Sequence, residues 1–120
     1  MGLLSKDAIL AAADINFQTV PVPEWGGDVK IRSMSGADRD AHELWLTSQP
    51  EKEGGGFVLS NLRAHMAALS IVGEDGELLF NEADVVALGK KSAAALDRVY
   101  QAIITLNAIG PKDVEALEKK

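Results

Sequence analysis

The sequence predicts a mainly α, α+β fold: a small helical domain with an N-terminal β-hairpin. Three observations carry that expectation. Residues 20–32, VPVPEWGGDVKIR, alternate apolar and polar positions around a Gly-Gly pair, the period-two pattern of a half-buried hairpin. From Ser35 onward, apolar residues recur at three- and four-residue spacing between Ser, Asn, Gly and Pro breaks, the pattern of successive amphipathic helices. Finally, 47% apolar residues with only 5% aromatics demands a core of Leu, Ile, Val and Ala, a composition suited to close helix packing.

The chain of 120 residues reads as one domain, 1–120, long enough to bury a single core without disulfides or metal. Its net charge of −6 argues against nucleic acid, whose phosphates need clustered Lys and Arg, and favours solubility and a partner with basic surface. There is no cysteine, hence no disulfide framework and no thiol nucleophile, as suits a reducing cytoplasm. The opening MGLLSKDAILAAAD lacks the basic start and long apolar stretch of a secretory signal. It also lacks the Ser or Thr that a myristoylation start carries at its sixth position. No uncharged apolar run reaches the ~18 residues of a membrane span.

Residues 5–13 are expected to form a helix capped by Ser5, with Leu4 and Ile9 in the positions of a hydrophobic staple. The hairpin then covers 16–34. A two-residue Gly26-Gly27 loop would set Trp25 opposite Asp28, Glu24 opposite Val29, Val22 opposite Ile31 and Val20 opposite Ser33. Val20, Val22, Val29 and Ile31 then share one face and Pro21, Pro23, Lys30 and Arg32 the other. The two prolines cannot donate ladder bonds, which marks the first strand as an edge.

A helix over 35–47 is expected from Ser35 with Asp38 as a capping box, its apolar face being Ala37, Ala41, Leu44 and Trp45. Residues 48–57, with Pro50 and Gly54-Gly55-Gly56, are expected to be a mobile loop. A central helix over 60–72 presents Leu62, Met66, Leu69 and Val72, widened by Ala64, Ala67 and Ala68, and stops at Gly73. Asp75-Gly76 turns the chain into a brief extended Leu78–Phe80, and Asn81 caps a helix over 81–89. The longest helix covers 92–108 behind a Ser92 cap, with Leu96, Val99, Tyr100, Ile103 and Leu106 on one stripe. Ile104 falls off that stripe, which implies burial on two sides. Gly110-Pro111 closes it and opens a last helix over 111–118.

Catalytic patterns are not found. His42 and His65 have neither the i, i+4 His pairing nor the acidic partners of a zinc site, and surface or packing roles suit both. The serines occupy caps and helix positions outside any G-x-S-x-G elbow. Gly54–Gly56 has no strand before it and no Lys-Ser/Thr after it, so it is not a phosphate loop. The scattered acids lack the order of a calcium loop. No cofactor and no metal are expected.

An interaction surface is what remains. Trp25 stands beside the diglycine, where a large ring is hard to cover, and tryptophan is enriched at binding hot spots. The alternative is that its ring folds back onto the first helix or the Ser35 helix. Val22, Trp25, Val29, Ile31 and Trp45 are the candidate protein-interaction residues, and the edge strand could add to a partner sheet.

Several stretches, taken in order, resemble tail assembly chaperones of long-tailed, siphovirus-type bacteriophages and prophages. They are Leu3–Asp14 (LLSKDAILAAAD), the hairpin Val20–Arg32, the helix start Ser35–Ala41 (SGADRDA), Gly73–Ile103 (GEDGELLFNEADVVALGKKSAAALDRVYQAI) and the closing PKDVEALEKK. The resemblance is interrupted at 48–57. It implies a protein that is not an enzyme: one that binds the long, apolar tape-measure protein, keeps it soluble in the host cytoplasm and helps recruit tail-tube subunits. It further implies absence from the mature virion, several copies along the client, and in many members a longer frameshifted form, for which Lys119-Lys120 is compatible with a slippery site. Helix-in-groove capture is the expected recognition mode. The rival readings are a head–tail connector or tail-completion protein that stays in the particle, and a cytoplasmic protein-binding adaptor.

Overall fold

The computed structural model describes residues 2–107. Their element order is α1 (Lys6–Ala11), β1 (Phe17–Val22), β2 (Gly27–Arg32), α2 (Gly36–Thr47), α3 (Leu62–Ser70), β3 (Ile71–Val72), α4 (Val85–Leu88) and α5 (Ala93–Asn107). The fold is a mixed α+β domain with an antiparallel three-stranded sheet, order β1-β2-β3, entered through the N-terminal hairpin. The helix expected over 111–118 and the last residue of the one over 92–108 lie outside the described residues.

The hairpin forms, but in another register. Val22 pairs with Gly27, Val20 with Val29 and Gln18 with Ile31, so each partner stands four residues from its expected place. The connection is a 3₁₀ turn, Pro23–Trp25, closed by Gly26 at φ 77°, whose N–H donates to the Pro23 carbonyl at 3.0 Å. Proline opens such a turn readily because its φ is already set and its missing donor is not needed there. Continuing the ladder through Pro23 would have cost a bond. Because the shift is even, every side chain keeps its face. Val20, Val22 and Ile31 are buried and Val29 packs against the same cluster.

On the other face Lys30 lies over the Phe17 ring, its Nζ 4.9 Å from the centroid. Asn16 donates to the Ser33 hydroxyl at 2.9 Å and its carbonyl accepts from the Ser33 N–H at 2.8 Å. Even-numbered positions of β1 therefore face β2, and Pro21 points its nitrogen to the open edge.

The expected helix over 60–72 ends two residues early. Ile71 and Val72 are β-branched and pair with Ile31 and Lys30 of β2 instead. The Gly73–Gly76 turn, with Gly76 at φ 81°, brings Leu78 back to bridge Val72. The helix expected over 81–89 divides into a 3₁₀ turn, Glu82–Asp84, and α4. Its start is a full capping box: Asn81 accepts from Ala83 N at 2.9 Å, and the Asp84 carboxylate accepts from Asn81 N at 2.9 Å.

Helix α5 lies across the sheet with Ala95, Leu96, Val99 and Ile103 buried, and α3 packs beside it through Ala64, Met66, Ala67 and Ala68. Alanines let the two backbones approach closely. Ile104 is 41% exposed, which corrects the expectation of burial on two sides. The C-terminal end of α5 is tied back to the sheet: Asn107 accepts from Met34 N at 2.7 Å while its amide donates to the Ile103 carbonyl at 2.8 Å.

Two helices stand off this core, and neither buries a residue. In α1, Ser5 caps Ala8 N at 3.1 Å as expected, yet Leu4 is 72% and Ile9 56% exposed, so the staple contact excludes little water. Residues 48–57, expected as a mobile loop, close into a tight turn. Glu51 bridges Phe57, Lys52 N donates to Gly56 O at 2.9 Å, and Gly54, Gly55 and Gly56 all take positive φ.

Candidate functional site

The surface feature that the fold builds is an apolar groove between α2 and the body. Helix α2 begins at Ser35, whose hydroxyl accepts from Asp38 N while Asp38 accepts from Ser35 N, both at 3.1 Å. Asp38 also meets Arg32 at 3.4 Å, fixing the angle at which the helix leaves β2. Of the apolar face expected on this helix, Ala37, Ala41, Leu44 and Trp45, the last three form one wall of the groove, and Leu44 is 71% exposed. The opposite wall is Ala68 and Leu69 of α3, then Leu78, Phe80, Glu82 and Val85. The space between them is about 510 Å³, within the range of ligand-sized clefts.

Aromatic stacking holds α2 to α3. The Trp45 and His65 rings lie 4.0 Å apart at 8°, and the His42 ring stacks on His65 at 5.3 Å and 21°. His65 is buried, and its Nε2 has no hydrogen-bond partner among the described residues. Desolvation, with the neighbouring His42 adding to it, lowers the His65 pKa to about 4. Desolvation first and Arg39 second push His42 down as well, against a smaller opposing pull from Glu43. Both imidazoles are therefore neutral at pH 7, when they can stack without mutual repulsion.

A second, smaller recess of about 290 Å³ adjoins the first, since Phe80 lines both. Trp25, Asp84, Ala87, Leu88 and Lys91 complete it. Trp25 is placed by the 3₁₀ turn, which Arg98 of α5 anchors: its Nε donates a bifurcated bond to Glu24, 3.0 Å to each carboxylate oxygen. A hydrogen bond from backbone and then the Arg98 guanidinium hold the Glu24 carboxyl below its usual range.

The candidate interaction residues separate into two groups. Val22 and Ile31 are fully buried beneath α5, and Val29 packs against the same core. Their alternation marks the core face of the hairpin, and full burial takes Val22 and Ile31 out of any partner surface. Trp25 and Trp45 are half-buried, each with ring surface in one of the two recesses. Sequence reasoning missed Leu44, Leu69, Leu78 and Phe80. The available signal was that Leu78-Leu79-Phe80 is an apolar run too short to form an element of its own.

Among the described residues no three His, Asp or Glu gather to hold a metal ion, and no helix is long and apolar enough to cross a membrane. Comparison with family models, curated proteins and solved structures returns no match.

Proposed function

We propose that this chain is a tail assembly chaperone of the long-tailed phage type, a holdase that seats an apolar helical segment of a tape-measure protein in the groove between α2 and α3. The observation that carries the reading is the groove itself. It has apolar walls on both sides, and one wall is a helix that contributes nothing to the core. Apolar surface left unpartnered at this scale marks an interaction site, and a groove lined by Leu, Phe and Trp is the shape that an amphipathic helix fills. The resemblance of the hairpin, the Ser35 helix start and the 73–103 stretch to that family supplies the client. On this reading the protein works in the host cytoplasm, delivers tail-tube subunits and leaves before the virion is complete.

The test is co-expression with the tape-measure protein of the same phage, scored as soluble complex. Leu44→Lys should lower the yield several-fold with unchanged circular dichroism, because Leu44 supports the groove and not the core. Trp25→Ala should lower the yield in the same way. A tape-measure protein that stays insoluble beside the wild-type chain would overturn the proposal, and so would stoichiometric recovery of the chain from purified virions.

A further inference from the structure

The two recesses share Phe80 as a common wall, so a single bound segment can place one apolar side chain on each side of that ring. The charges around them are uneven. Glu82 is the charged residue that lines the larger recess. The ion pairs among the described residues are Arg32–Asp38, Arg63–Asp97 and Arg98–Glu24, so Glu82 has no cation of its own there. The smaller recess carries one residue of each sign, Asp84 and Lys91. The excess negative charge therefore lies at the larger recess, on a chain whose net charge is already −6.

From this arrangement we infer that the site selects an amphipathic helix with two apolar anchors on one face and Lys or Arg beside the anchor that enters the larger recess. The inference rests on the helix-capture reading and specifies the chemistry of the occupant. A carboxylate at the rim of an apolar groove steers a basic partner inward and disfavours an acidic one. A second copy of this chain would bring its own −6 to the same rim, which makes it a poor occupant.

The full chain is titrated with fluorescently labelled, helix-stabilised peptides of equal hydrophobicity: two anchors with lysine flanks, two anchors with glutamate flanks, and one anchor with lysine flanks. The basic two-anchor peptide should bind about tenfold more tightly than the acidic one at low salt. That advantage should shrink at high salt, where charges are screened within ~3 Å. The one-anchor peptide should be weaker than its two-anchor counterpart. Glu82→Gln should bring the basic peptide down towards the affinity of the acidic one. Equal affinity for both flanks, or a preference that survives Glu82→Gln undiminished, would overturn the inference and leave helix capture standing. Failure of every peptide, together with failure of the tape-measure co-expression, would remove both. A concentration-dependent dimer that Leu44→Lys abolishes would assign the groove to a second copy and overturn the inference.

Discussion

Replacing His65 with Phe should flatten the acid limb of the stability profile. The wild-type ring is 6% exposed and packed against both Trp45 and His42, and its pKa is lowered to about 4 from an ordinary 6.5. In the unfolded chain the same imidazole takes a proton near 6.5, so from there down to about 4 the unfolded state binds more protons than the folded one. Stability is then complete above about 6.5 and is lost as the pH falls through that window. The displacement is worth about 3 kcal/mol at 1.36 kcal/mol per pKa unit. The charged groups acting on the pair are Arg39 and Glu43, and both remain in the variant. Phenylalanine keeps a ring against Trp45, and it also removes the Nε2 atom that is buried without a partner. Urea unfolding at pH 7.5, 6, 5 and 4 should therefore show the wild type losing about 3 kcal/mol more than His65→Phe, with little difference between them at pH 7.5. Parallel profiles would refute the reasoning. So would an NMR titration of the His65 ring with a midpoint near 6.5.

Three further outcomes follow from packing and backbone geometry. Ile103→Ala should cost about 3 kcal/mol in urea unfolding, because Ile103 is fully buried, whereas Ile104→Ala, one residue along and 41% exposed, should cost less than about 0.5. Ser35→Ala removes the capping box of α2 and should weaken that helix by about 1 kcal/mol, read as roughly fivefold faster amide exchange in α2 with α5 unchanged. Gly26→Ala meets no neighbouring atom but must hold φ 77°; a thermal or urea measurement should show a loss of about 1 kcal/mol from strain alone.

What was legible in the sequence was local chemistry. Ser5, Ser35 and Asn81 cap the turns their side chains suggested, and the alternation of Val20, Val22, Val29 and Ile31 identified the sheet face that meets α5. The hairpin register was not legible, because Gly26-Gly27 invites a two-residue loop while Pro23 starts a 3₁₀ turn, and only the energies of the two closures decide between them. Residues 71–72 were read with the preceding helix since their apolar spacing continues it; strand pairing with β2, a contact across 40 positions, overrode that periodicity. The same limit hid the groove. Ala41, Leu44 and Trp45 form a stripe that looks like any core-facing stripe, and nothing local to α2 indicates that α3 and Phe80 stand too far off to close over it. The pairing of His42 with His65 likewise needs two helices brought together.

Pro21 occupies the unpaired margin of β1, where its ring nitrogen has no hydrogen to offer. Any strand approaching from outside could bond in register only to Phe17 and Thr19 before meeting that gap. Fibril-like growth from this sheet is thus blocked by one residue. Without that gap the same margin would offer an uninterrupted template to another strand.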